Sequence, residues 1–171
     1  MHLYVANPMS RAKIRETVLY LRDTFGLSND LYFPVMEFLE FGMEQVDKKF
    51  SYEILTMKEM GSCYGITYPE ENLITLREDV YDRAVEGVAR DRFTVAHEIA
   101  HYLLHSPKTV AYARAKGKES VPAYLDPEWQ ANVFAGEILA PPDLIRGMTT
   151  AEVERFCGVS RPVAEIQLKL T

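Results

Sequence analysis

The sequence predicts an α+β fold. Two amphipathic helical patterns come first, short runs rich in β-branched and aromatic residues follow, and helical patterns fill most of the second half. The 171 residues are 47% hydrophobic and 26% charged, a balance typical of a globular domain large enough to bury a core. We therefore expect helices at both ends of the chain and a small sheet between them.

The N-terminal part predicts two helices. In residues 11–25 the apolar side chains recur on one face at helical spacing, with Ser10 placed to cap the first turn and Gly26 placed to end the helix. A second amphipathic segment, "FPVMEFLEFGMEQVD", carries a proline near its first turn. Three β-rich runs then follow, "SYEILTM", "SCYGITY" and "LITL", separated by "KEMG" and "PEEN". They predict a small sheet in which the chain meanders from strand to strand.

The second half predicts mainly helices. One helix is expected from about residue 85 to residue 105, then a polar loop, then a helix that starts near Pro127 with Asp126 as its N-cap. The last stretch, "TTAEVERFCGVSRPVAEIQLKL", predicts two short helices around "GVSRP", similar to a helix-turn-helix. We accordingly expect a main domain over residues 1–143 and a helical tail over residues 144–171 that packs on it.

Charge and cysteine content narrow the class of protein. The net charge of −6 and the pI near 5.3 lack the basic footprint of a general nucleic-acid binder. Cys63 and Cys157 have no paired spacing, so a disulfide framework is not expected and a reducing compartment fits better. The N-terminus lacks the apolar core of a signal peptide, and no apolar run reaches membrane-spanning length. A soluble, cytoplasmic protein is expected.

The strongest chemical signal is "HEIAH", residues 97–101, within "RFTVAHEIAHYLLH". On a helix, His97 and His101 differ by about 40° in azimuth and about 6 Å in rise, so both imidazoles project to one side. They can share a tetrahedral ion at Zn–N distances of about 2.0–2.1 Å. Glu98 lies about 100° further round, where a general base for an activated water would stand. The opposite side of the helix is apolar and is expected to be buried: Val95, Ala96, Ile99, Ala100 and Leu103.

A catalytic zinc normally has three protein ligands and an open fourth position. His105 is an unsuitable third ligand, because on one continuous helix it lies about 12 Å along the axis from His97. We expect it at the helix end or in a supporting position. A carboxylate on the downstream helix is the better candidate, and periodicity alone leaves Glu128, Glu137 and Asp126 open.

Several residues are candidates for supporting the site. Asn132, one turn after Glu128, can orient a ligand, and His105 and Tyr124 are further candidates beside it. A hydrogen-bond donor to the tetrahedral oxyanion could come from Tyr124, Tyr112, Tyr102 or His105, and the sequence does not choose among them. The "SCYGITY" run is either an edge strand that binds an extended peptide or plain sheet core.

The stretches "RFTVAHEIAHYLLH" and "EWQANVFAGEILAPPDLI" together resemble the ImmA/IrrE family of metallopeptidases. In that family an "RFTxAHExxH" helix precedes an "E…AN.FA..LLMP" helix. The chain has "ILAP" where the family usually has "LLMP", so it departs at Ala140. The resemblance implies a zincin-like metallopeptidase domain with a small mixed β-sheet, in which the HExxH helix packs against the second helix. It also implies one catalytic Zn²⁺ bound by His97, His101 and Glu128, with Glu98 as the catalytic glutamate.

The function implied by this resemblance is a zinc-dependent regulatory endopeptidase. Characterised relatives are linked to the cleavage of helix-turn-helix repressors, which switches on mobile-element or stress-response genes. One alternative is a protein that holds zinc and acts only by binding a repressor. Another is a DNA-binding regulator that acts through its tail. From residue 144 onward, however, the chain has four basic and three acidic residues, and a phosphate-binding surface is normally more basic. A vestigial site without metal is the last alternative.

Overall fold

The computed structural model describes residues 3–105, 110–113 and 121–171. Within them lie the strands β1 (Leu3–Ala6), β2 (Ser51–Leu55), β3 (Gly65–Tyr68), β4 (Leu73–Arg77) and β5 (Val110–Ala113). The longer helices are α1 (Arg11–Thr24), α5 (Glu78–Val85), α6 (Ala89–Leu104), α7 (Pro127–Leu139), α9 (Thr150–Cys157) and α10 (Arg161–Leu168). Short helices are α2 (Val35–Glu37), α3 (Met43–Val46), α4 (Met57–Met60) and α8 (Pro142–Ile145), and a π-helical turn, Phe38–Gly42, joins α2 to α3. Among the described residues no helix has the length and apolar composition needed to span a membrane.

The predicted α+β class, the helix pairs at both ends and the small mixed sheet are confirmed. The predicted order of the strands is wrong. In the three-stranded sheet the order is β2-β4-β3, with β2 parallel to β4 and β3 antiparallel to β4. Helix α4, closed by a capping box between Thr56 and Glu59, separates β2 from β3. Strands β2 and β3 therefore do not pair with each other, and β3 is left at one edge of the sheet.

A second, two-stranded sheet was not expected from the sequence. Strand β1 pairs antiparallel with β5, in the register Leu3↔Ala113 to Ala6↔Val110. Strand β5 lies inside the stretch that was predicted to be a polar loop, most of whose other residues lie outside the described part of the chain. The segment after β1 also lies close to the start of α7, because the amide of Met9 donates to the carbonyl oxygen of Tyr124 at 2.9 Å.

The helix predicted over residues 85–105 is present as α6, but it begins later, at Ala89. Helix α5 ends at Val85, Gly87 adopts φ 91°, and α6 begins at Ala89. A positive φ is incompatible with continuing a right-handed helix and is easily adopted by glycine. The sequence did not indicate α5 as a separate helix.

The centre of the core is the packing of α6 against α7. Both helices carry alanines at the contact, Ala96 and Ala100 on α6 and Ala131 and Ala135 on α7, and all four are fully buried. Because the distance between packed helices depends on the side chains at the contact, these small residues allow a close approach. Larger side chains surround this contact in the same core cluster, among them Val95, Ile99, Phe134 and Ile138.

The tail helices share this core. Val153 and Cys157 of α9 and Ala164 of α10 are fully buried within the same cluster. The buried Gln167 of α10 donates a 3.0 Å hydrogen bond to the carbonyl oxygen of Ala140. The helices after residue 143 therefore bury apolar side chains in the same core as α6 and α7.

Glu137 faces α1, where a buried ion cluster joins α1 to α7. Its side chain is only 1% exposed, and its carboxylate accepts hydrogen bonds from Arg15 at 2.9 and 3.1 Å and from Arg11 at 3.4 Å. Both guanidinium groups remain about one-third exposed, so water screens part of their charge. Glu137, one of the three carboxylates that the sequence left open as a third ligand, thus has a structural role.

We predict that Glu137→Gln lowers the free energy of unfolding by about 2 kcal/mol, because a buried acceptor of charged hydrogen bonds is lost. Urea unfolding followed by circular dichroism measures this. The control is Glu16→Gln, which removes an exposed pair with Lys13 and should change stability by less than about 1 kcal/mol. Equal effects of the two variants would contradict a structural role for Glu137.

Candidate metal centre

Helix α6 brings His97 and His101 together. Their Nε2 atoms lie 3.0 Å apart, and the ring centroids are 4.6 Å apart. Both rings are partly buried. The opposite side of α6 packs into the core. The predicted division of this helix into an apolar face and a chemical face is therefore present in the structure. Leu103 alone of the five predicted core positions is only half-buried.

Glu128 lies in the first turn of α7 and faces both histidines. The turn is held by Pro127 at the first helical position and by Asp126, whose side chain accepts from the amide of Glu128 at 2.9 Å. The carboxylate oxygens of Glu128 lie 3.2 Å from Nε2 of His97 and 3.1 Å from Nε2 of His101. The Glu128 side chain is 65% exposed, so this corner of the site is open to solvent. Asp126, the other carboxylate that the sequence left open, acts as the N-cap.

The three donor atoms fit the dimensions of a metal site. The two Nε2 atoms are 3.0 Å apart, and each lies close to a different oxygen of Glu128, 3.1 Å from Oε1 for His101 and 3.2 Å from Oε2 for His97. A tetrahedral ion with bonds of about 2.0–2.1 Å requires ligand atoms about 3.3–3.4 Å apart, a small adjustment from these distances. Among the described residues this is the group of histidine, cysteine and acidic side chains close enough to hold one ion. Cys63 is exposed and lies outside this group.

The charges of the site favour a bound cation. The adjacent imidazoles of His101 and His97 lower the pKa of the Glu128 carboxyl far below its usual range, so the group is ionised at neutral pH. Burial lowers the pKa of His97, but the hydrogen bond and charge of Glu128 outweigh this effect and the net shift is upward. A metal ion competes with a proton for the His97 imidazole, so we expect the site to bind metal more weakly as the pH falls.

Glu98 follows His97 on α6 and contacts strand β3. It is 7% exposed, and the hydroxyl of Thr67 lies 2.6 Å from its Oε2 and 3.0 Å from its main-chain oxygen. A side chain at Gly65 would not fit, because a Cβ there would lie 2.8 Å from Cγ of Glu98. Sequence reasoning missed both residues. The only signal was a glycine inside a strand pattern, which often marks a close approach of another segment.

The Nδ1 atoms of His97 and His101 each lie within hydrogen-bond distance of another side chain. Nδ1 of His97 lies 2.9 Å from Oδ1 of Asn132, and Nδ1 of His101 lies 2.9 Å from Nδ1 of His105. His105 follows the last residue of α6 and is 3% exposed, and burial lowers its pKa to about 4. Its Nε2 lies 2.8 Å from Oε1 of Gln130. Asn132 and His105 thus both contact a ligand, whereas Gln130 was not singled out from the sequence.

The tyrosines considered as oxyanion donors are placed differently. Tyr102 donates a 2.7 Å hydrogen bond to Asp47 and packs edge-to-face on Phe50, so its hydroxyl is engaged away from the metal ligands. Tyr124 is exposed, and its main-chain oxygen accepts from Gln130. The side chain of Tyr112 lies outside the part of the chain that the structure describes.

Comparison with known families identifies the chain. A family model of the Peptidase M78 group, described as the IrrE N-terminal-like domain, matches residues 84–169, half of the chain. The chain belongs to this family. No curated protein matches the chain at a significant level. The matched segment of this M78 peptidase contains the histidine pair, Glu98 and Glu128, so the converging donors fall within the part that defines a metallopeptidase-type function.

We predict that Glu128→Gln weakens metal binding of the M78 peptidase by more than the 10–100-fold that an outer supporting residue typically costs, because a charged ligand atom is removed. Competition titration of zinc against a chromophoric chelator measures the affinity. Glu137→Gln is the matched control on the same helix and should bind zinc like the unaltered protein. If the two variants bind equally well, Glu128 is not a ligand.

Proposed function

We propose that the protein is a zinc-dependent endopeptidase that cleaves a helix-turn-helix transcriptional repressor. The observation that carries the zinc-peptidase proposal is the convergence of two imidazole nitrogens and one carboxylate on one side of α6, with Glu98 next to them on the same helix. Two nitrogen donors with one carboxylate suit zinc, and three protein ligands leave the coordination position that hydrolysis requires.

In the proposed mechanism Glu98 moves the proton. Zinc, when bound, supplies a Lewis acid that polarises the scissile carbonyl and lowers the pKa of the attacking water. Glu98 accepts a proton from that water as the water oxygen bonds to the carbonyl carbon. It then delivers the proton to the amine nitrogen as the C–N bond breaks. Thr67 holds Oε2 of Glu98, so Oε1 is the atom that we assign to proton transfer. Gly65 leaves room for this arrangement.

The extended form of the substrate is inferred from strand β3. It pairs with β4 on one side, and among the described residues no strand pairs with its other edge. An extended peptide can add to such an edge through main-chain hydrogen bonds. Because β3 also carries Thr67, a peptide bound there would pass beside Glu98.

A groove that reaches Asn132 offers a place for an apolar side chain of the substrate. It has a volume of about 410 Å³ and lies between α6, α7 and α10. Asn132, the partner of His97, lines it together with the apolar residues Phe93, Trp129, Val133, Val163 and Ile166. The tail would then form one wall of the substrate site.

The choice of a repressor as substrate rests on the family resemblance and on charge. The net charge of −6 favours encounter with a basic DNA-binding protein. The same charge argues against direct binding of nucleic acid by this chain. Cys63 and Cys157 are unpaired, in keeping with a reducing compartment, and we place the protein in the cytoplasm.

We predict that Glu98→Gln abolishes cleavage while zinc is retained, because the variant keeps all three ligands but has no group to take the proton. The loss should be at least about 10²–10⁴-fold. Mass spectrometry of fragments from a helix-turn-helix repressor encoded beside the gene reads out cleavage, and elemental analysis reads out zinc. Unchanged cleavage would remove Glu98 from the mechanism, and tight repressor binding without fragments from the unaltered protein would favour the binding-only alternative.

A second pair of variants isolates the hydroxyl of Thr67. Thr67→Val has nearly the same shape but no donor, and should lower kcat about tenfold or more with zinc affinity unchanged, since a hydrogen bond to a charged group is lost. Thr67→Ser keeps the hydroxyl and is the control, so its kcat should stay close to that of the unaltered protein. Equal kcat values for the valine and serine variants would show that the hydroxyl does not position Glu98.

A further inference from the structure

A buried chain of hydrogen bonds leads from main-chain carbonyl oxygens to the metal ligand His101. Nε2 of Gln130 lies 2.8 Å from the main-chain oxygen of Asn7 and 2.8 Å from that of Tyr124. Oε1 of the same amide lies 2.8 Å from Nε2 of His105, whose Nδ1 lies 2.9 Å from Nδ1 of His101. Gln130 and His105 are 1% and 3% exposed, so water has little access to these atoms.

The orientation of the Gln130 amide follows from its neighbours. A main-chain carbonyl oxygen only accepts hydrogen bonds, so the NH₂ group of Gln130 has to face the two carbonyls, and both of its hydrogens are used there. Its Oε1 therefore faces His105 as an acceptor. The reverse orientation would place three oxygen atoms against one another in a buried place, which costs the full desolvation of each unpaired group.

The fixed amide determines the tautomers of the two histidines. Because Oε1 of Gln130 accepts, Nε2 of His105 carries the hydrogen, and in a neutral imidazole Nδ1 is then the acceptor. His101 consequently donates from Nδ1, which leaves the lone pair of its Nε2 free to bind a metal. The requirement from the other end is the same, since an imidazole that binds metal through Nε2 has its hydrogen on Nδ1.

We propose that Gln130 and His105 are positioning residues that hold His101 in the one tautomer able to bind the metal. This proposal rests on the metal site of the proposed function, but not on peptide cleavage. The two carbonyls belong to segments distant in the chain, one just after β1 and one just before α7, so correct packing of these segments is coupled to the metal affinity of His101. His97 differs, because it is held by one exposed residue, Asn132.

The test uses two variants of equal shape at position 105. Asparagine and leucine both leave Oε1 of Gln130 without the imidazole, but His105→Asn can place an oxygen near the former Nδ1 and accept from His101, whereas His105→Leu cannot. We expect His105→Leu to lose 10–100-fold in zinc affinity, the typical cost of losing such a partner. His105→Asn should stay within a few-fold of the unaltered protein. Chelator competition measures both.

The result that overturns the proposal is equal affinity of the leucine variant and the unaltered protein, or equal weakening of both variants. Long-range ¹⁵N–¹H spectra of the unaltered protein provide a readout that needs no variant to fold. They should show hydrogen on Nδ1 of His101 and on Nε2 of His105, and the opposite pattern would also overturn the proposal. A protein that binds zinc with this pattern but cleaves no repressor would refute the proposed function and leave this inference standing.

Discussion

The close packing of α6 against α7 is the constraint on which the rest of the site depends. His97 and His101 come from one helix, so their spacing is set locally, but Glu128 reaches them only because alanines at the contact let the second helix approach. The same contact places Asn132 behind His97 and Gln130 behind His105. Glu128, Gln130 and Asn132 of α7 thus all contact histidines of the site, and Glu137 ties the same helix to α1.

The position of Glu98 depends on a different contact, between α6 and the edge strand β3. Thr67 fixes the Glu98 carboxylate, and the missing side chain of Gly65 makes room for it. The sheet therefore has two roles, one in orienting the glutamate and one in presenting a free edge beside it. A shift of β3 relative to α6 would disturb both together, without moving His97, His101 and Glu128.

What could be predicted from the sequence was local. The N-caps of α1 and α7 and the face shared by His97 and His101 follow from helix geometry over a few residues. Periodicity could not choose between Glu128 and Glu137, because the choice depends on what each side of α7 packs against. The β1–β5 pairing, the strand order, Thr67 and Gln130 depend on contacts between residues far apart in the chain, and no local pattern encodes them.

Arg92 links α6 to the tail helices, and this link couples the unfolding of the two parts. Its fully buried guanidinium donates to the main-chain oxygens of Phe33, Cys157 and Gly158, and burial lowers its pKa. If the tail detached, this cation would lose two of these partners while still enclosed on the other side, at a large desolvation cost. The tail and α6 should therefore exchange their amide hydrogens as one cooperative unit. A Cβ at Gly158, which has a positive φ, would come too close to the same guanidinium, so a substitution there should strain this link between the two.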